Sequence, residues 1–166
     1  MSDEKLVFSQ RPGGTHHDLN TLAGEWAGLT QTWFEPDKLA DTQSITASLR
    51  PILDGRFLLY EYQSRLIDQA RDGLALIGYN LGLERYEIAW VDTVHMGTGI
   101  MFSVGEPGNA AFAVASDYPA GEGPPWGWRT QIVSPEPDQL VITMFNVPPG
   151  GKPYKGVETT LIRSTA

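Results

Sequence analysis

From Glu25 onward the chain is a succession of β-rich runs of about eight to twelve residues, each closed by residues that reverse a chain rather than extend it. That punctuation leaves no room for crossover helices and predicts roughly ten sequential antiparallel strands. They are expected at Gly24 to Glu35, Thr42 to Leu53, Arg56 to Leu66, Leu74 to Tyr79, Arg85 to Asp92, Gly99 to Val104, Ala111 to Ala115, Trp128 to Val133, Gln139 to Asn146 and Gly156 to Arg163. Asp54-Gly55 reads as a two-residue type I′ hairpin. Asn80-Leu81-Gly82, Glu106-Pro107-Gly108-Asn109, Pro135-Glu136-Pro137-Asp138 and Pro148-Pro149-Gly150-Gly151 read as further reversals. Asp117 to Trp128 is too rich in Pro and Gly to pair throughout and is expected as the longest loop.

Ten strands joined in sequence leave two unpaired edges unless the first meets the last. The economical fold is all-β, a closed antiparallel up-and-down barrel of about ten strands; a two-sheet sandwich is the alternative. Eight strands are just filled by their own side chains, so about ten should leave an interior cavity. Ahead of the barrel, residues 1–14 end in Arg11-Pro12-Gly13-Gly14 without periodicity and are expected as a loosely ordered arm, leaving 15–166 as a single barrel domain. Thr15-His16-His17-Asp18 fits a capping box opening a short helix. Leu19 and Leu22 supply its apolar pair, and Gly24 is placed to end it in a left-handed cap.

Composition narrows the function classes. Gly (18) and Pro (12) make about 18% of the chain against roughly 12% on average, which fits many turns between core segments. Cysteine is absent, which excludes disulfides, thiolate nucleophiles and cysteine metal sites. A net charge of −8 repels nucleic acid and anionic lipid, so neither is an expected partner. The first residues, Met1 to Phe8, mix charges early and never reach a signal peptide's apolar region, and no run approaches the roughly 18 apolar residues of a membrane span. A cytoplasmic chain is the expectation.

Gly24-Glu25-Trp26 follows the short helix and opens the first strand. It resembles the Gly-x-Trp signature of calycins, the superfamily of lipocalins and fatty-acid-binding proteins. Arg163 on the last strand stands where calycins carry a basic residue over the Trp face. Closure alone would bring the two together, and a guanidinium over an indole is favourable by roughly 0.5 to 2 kcal/mol. Both are structural candidates. Leu22-Ala23-Gly24-Glu25-Trp26-x-Gly28, Trp33-Phe34-Glu35-Pro36, Arg50-Pro51-Ile52-Leu53-x-Gly55-Arg56-Phe57-Leu58, Gly78-Tyr79, Trp90-x-Asp92 and Gly156-x-Glu158 resemble the bacterial domain-of-unknown-function family 1579 over about residues 19 to 163. The resemblance implies a lipocalin-like barrel and no catalytic residues. Thr159 and Thr160 depart from the aromatic that often follows Glu158 in that family.

Tyr86, Ile88, Trp90 and Asp92 share one strand face by parity. If that face is internal, a buried Asp92 needs partners, and His95, three residues on, is the nearest candidate. Asp92 and His95 could form an acid–base pair or a structural one at a strand end. Arg50, Glu61, Arg129 and Glu158 also fall within strands, where an inward charge could join Trp90, Asp92 and His95 in ligand binding and an outward one would simply be solvated. Met101-Phe102-Ser103-Val104-Gly105 lacks the first Gly of a nucleophile elbow, and Gly97-Thr98-Gly99 lacks the third Gly of a dinucleotide loop. Adjacent His16 and His17 diverge on a helix, so no metal is expected. Haem-binding nitrobindin barrels look similar in fold. Their axial His lies on a late strand, and this chain has no His after His95. No cofactor is therefore expected. The leading reading is a barrel binding a small, largely apolar or amphipathic ligand in its lumen. The alternatives are an enzyme using Asp92 and His95, and a structural domain with a filled interior that self-associates, for instance as a homodimer.

Overall fold

The computed structural model describes residues 3–165. Two short helices, α1 (Asp3–Ser9) and α2 (Thr15–Thr21), precede ten strands: β1 (Gly24–Glu35), β2 (Lys38–Ile52), β3 (Phe57–Leu66), β4 (Gln69–Asn80), β5 (Arg85–Asp92), β6 (Met101–Val104), β7 (Ala113–Tyr118), β8 (Trp126–Glu136), β9 (Gln139–Val147) and β10 (Tyr154–Arg163). Each strand pairs antiparallel with its sequence neighbour and β1 pairs with β10, closing a lipocalin-like barrel with no free edge.

Period-2 alternation explains which residues fill it. On β3, Leu58, Tyr60 and Tyr62 are buried while Glu61 and Gln63 face solvent; on β5, Ile88, Trp90 and Asp92 are buried. The seam rests on a missing side chain. A Cβ on Gly28 would stand 1.9 Å from the Thr160 carbonyl oxygen, so only glycine lets β1 approach β10 this closely.

Beside that seam, Trp26 pairs with Arg163, whose guanidinium lies 4.3 Å from the indole centroid. Trp26 Nε1 donates to the Leu22 carbonyl at 3.0 Å, and Arg163 donates to the carbonyls of Thr21, Ala23 and Pro137 and to the Asp138 carboxylate. The α2 helix and the β8–β9 turn are thereby tied to the same end of the barrel. Leu19 of α2 is buried in the core, so this end is closed.

Four expectations are corrected. Residues 3–9, expected within a loosely ordered arm, form α1. It is held to α2 by a 2.8 Å contact between Ser9 Oγ and His16 Nδ1 and by the His16 amide donating to Ser9 Oγ. At the start of α2, Gly14 rather than Thr15 is the N-cap and no side chain caps it; Leu22 is the C-cap, and Gly24 opens β1 with φ 140°. The β2–β3 connection spans residues 53–56 instead of two. Leu53, Asp54 and Gly55 all have positive φ, and Gln10 and Asn20 donate to the Asp54 and Gly55 carbonyls, so the helices shape this turn. Finally, Asp117 and Tyr118 pair with Gly127 and Trp126, reducing the Pro- and Gly-rich loop to residues 119–125; the connection 93–100 is longer. Among the described residues no helix is long and apolar enough to cross a membrane.

Candidate functional site

The opposite end of the barrel is where polar residues turn inward. Tyr62 on β3, Gly73 on β4 and Asp92 on β5 sit in one row of the sheet, each opposite the next. A Cβ on Gly73 would stand 2.3 Å from the Tyr62 phenol, so its absence is what lets that phenol lie across β4. The Tyr62 hydroxyl donates to Asp92 Oδ2 at 3.3 Å and accepts from Trp90 Nε1 at 3.0 Å.

Asp92 ends β5 by turning the chain onto itself. Its Oδ1 accepts the amides of Val94 at 3.0 Å and His95 at 2.5 Å, a local side-chain turn that brings the His95 ring back over the strand. Its Oδ2 lies 2.5 Å from His95 Nδ1 and 3.8 Å from Arg71 Nε. Burial pushes the Asp92 carboxyl up. The hydrogen bond and charge of His95 and the two amides more than offset that, holding it below the ordinary carboxylate range. Burial likewise pushes the Tyr62 phenol up to about 12, although the Arg71 charge acts in the other direction.

Above this network lies a cavity of about 210 Å³, walled by Trp90, Trp128, Met101, Tyr118, Phe34 and the His95 ring among others. Trp90 and Trp128 stack with centroids 5.7 Å apart and planes 12° from parallel, and the His95 ring lies 5.5 Å from Trp90. Tyr118 meets Trp128 edge-on and donates to Asn146 Oδ1 at 2.9 Å. The deeper lumen is filled: Tyr60, Ile77, Ile88, Met101, Ile142 and Met144 leave only about 20 Å³ between them. The expected interior cavity is thus confined to the mouth, because paired aromatics and branched side chains pack the rest. A larger hollow of about 600 Å³ crosses β1 to β5 and is lined by Glu25, Ser48, Glu61 and Asp72 among others. It is open to solvent and has no aromatic wall comparable to that of the mouth.

Of the residues singled out from sequence, Trp90, Asp92 and His95 come together here. The four other charges do not. Arg50 and Glu61 pair at 3.4 Å with both side chains about half exposed, Arg129 is exposed on β8, and Glu158 turns away from the interior to accept from Lys155 at 2.6 Å. Leu49, Tyr60, Trp128 and Val157 are buried beside them, and alternation puts each charge on the other face. Sequence reading missed Tyr62, Arg71, Tyr118 and Trp128. Arg71 shares parity with Ala75 and Ile77, but Gln69-Ala70-Arg71-Asp72 looks like a turn because it is polar. In fact it is strand, and the Arg71 side chain is 2% exposed.

The barrel is similar to the S-type phycobiliprotein lyase CPES from Guillardia theta, with a TM-score of 0.56 at 9% identity over 96% of this chain and 97% of that one. No protein of curated function matches the chain. Residues 11–163 match the family model described as "Protein of unknown function (DUF1579)", and the chain therefore belongs to that family.

Proposed function

We propose that the protein binds a small, largely apolar ligand at the mouth of the barrel, between the Trp90–Trp128 stack and the His95 ring. The observation that carries this is the 210 Å³ cavity itself, apolar on its aromatic walls and bounded by a few convergent polar groups, Asn146, His95 and Thr32. Its volume lies below the roughly 300 to 1,000 Å³ of drug-sized sites, so the occupant is about one or two fused rings, or a short chain, with part of it at the opening. The similar barrel from Guillardia theta is a phycobiliprotein lyase by name, which is compatible with a barrel that handles an organic molecule. The neutral fluorophore N-phenyl-1-naphthylamine tests the reading. It should bind one per chain and quench tryptophan emission, and Trp128→Ala should weaken it. A native near-ultraviolet dichroism spectrum with no saturable binding would instead favour a barrel with a purely structural interior.

The contact between Asp92 and His95 favours a second reading, proton transfer to or from the bound molecule. With Nδ1 donating to Asp92, Nε2 is the nitrogen available to exchange a proton. A ligand extracted from the expressed protein and returned to it in heavy water would take up deuterium at a carbon position under this reading and none under simple binding.

A further inference from the structure

Two cavities in the barrel share a wall. Trp90, Met101 and Trp128 line both the 210 Å³ space at the mouth and the 20 Å³ gap beneath it, so these side chains are the floor of one and the roof of the other. The two indoles are anchored. Trp90 donates its N–H to the Tyr62 hydroxyl and stacks on Trp128, which Tyr118 meets edge-on. Met101 is an unbranched thioether with three rotatable bonds, a side chain that adapts to irregular gaps. Its backbone is paired on one side only. Along β6, Met101 to Val104 pair with β5, but β7 is met only where Val104 faces Ala115. The chemistry also changes across this partition. Above Met101 the walls are mainly aromatic, and below it they are chiefly aliphatic, with Ile77, Ile88, Ile142 and a second flexible thioether, Met144. The lower gap has room for about one water, so a ligand atom that goes deeper has to displace the methionines.

We infer that Met101 sets the depth of the site: it folds aside for an aryl-alkyl ligand, whose ring stays at the mouth while an unbranched tail enters the aliphatic lumen. The inference rests on the mouth cavity proposed above. Because one flexible side chain yields between two anchored indoles, the opening is about one side chain wide. That width admits a straight chain and excludes a second ring.

The methionines report the two compartments separately, since of the two cavities Met96 lines only the mouth, Met144 only the deeper gap, and Met101 both. In methyl spectra of methionine-labelled protein, 4-ethylphenol should shift the Met96 and Met101 signals and leave Met144 in place, whereas 4-n-pentylphenol should shift all three. Calorimetric affinity should rise by up to about fourfold for each methylene from ethyl to pentyl, the factor that burying one CH₂ gives. In Met101→Ile, which keeps the number of heavy atoms but is stiff at its β-branch, 4-ethylphenol should still bind and the gain over the whole series should fall to within about twofold. A pentyl compound that shifts Met96 and Met101 but not Met144 overturns the inference while leaving the cavity reading intact, and needs no variant to fold. Met144 moving with 4-ethylphenol as well would mean that no partition exists, and a gain that survives in Met101→Ile would mean that Met101 does not control it; either overturns the inference. If neither phenol shifts Met96 or Met101, the cavity reading fails and the inference falls with it.

Discussion

Nδ1 of His95 and Oδ2 of Asp92 lie 2.5 Å apart, and the same carboxylate holds the His95 amide, so one residue fixes both the backbone and the ring of the other. Removing the carboxylate therefore does more than delete a side chain. Asp92→Ala should cost about 3 to 5 kcal/mol, because it leaves the Arg71 charge buried without its counter-charge. Denaturant melts would show this, and a loss below about 1 kcal/mol would mean the pair is not buried in solution.

The same carboxylate sets an acid limit. Its folded value is held below the ordinary 3.8. The stability it contributes is then complete above the unfolded value and is lost as pH falls through the lower folded one. Melting temperature should drop steeply below about pH 4, and Asp92→Asn, which cannot titrate, should flatten that part of the profile.

His16 predicts a separate, milder transition. Burial holds its ring below the ordinary 6.5. The unfolded chain then takes up a proton first, and stability declines as pH falls below about 6.5 toward the folded value. Ser9 and His16 join α1 to α2, so amide exchange in α1 should rise in that window before the barrel loosens. His16→Gln should remove the pH dependence of that exchange.

At the closed end, Trp26→Ala should cost on the order of 3 to 5 kcal/mol, since the indole is 1% exposed and is packed under Arg163. Arg163→Lys keeps the charge but cannot supply the fork that reaches Ala23, Thr21 and Asp138 together, and should cost about 1 to 2 kcal/mol. Both are read from denaturant midpoints at constant slope.

The barrel was legible because turns are written in residues with special backbone preferences. Gly24 to Glu35 and Arg85 to Asp92 match β1 and β5 end to end, and the Trp26–Arg163 pairing follows from closing the first strand on the last. The site was legible only where local order creates it. Asp92 and His95 are three residues apart, whereas Tyr62, Arg71 and Trp128 reach them through strand register, which a single sequence does not display. Parity was available for Glu61, since Leu58, Tyr60 and Tyr62 define the inner face of β3, and it correctly excludes the residue the charge argument admitted. How much of the lumen is filled was not legible, because strand number sets a barrel's girth while the size of Tyr60, Tyr62, Trp90 and Trp128 sets how much of it stays empty.

The five tryptophans make the central claim directly observable, because each indole N–H gives its own signal in a nitrogen–proton correlation spectrum. On titration with a neutral two-ring probe such as 2-naphthol, the signals of Trp90 and Trp128 should move together and saturate, while that of Trp26, at the closed end under Arg163, stays in place. Saturating shifts that spare Trp90 and Trp128, or no shifts at millimolar probe, would contradict a binding site at the barrel mouth.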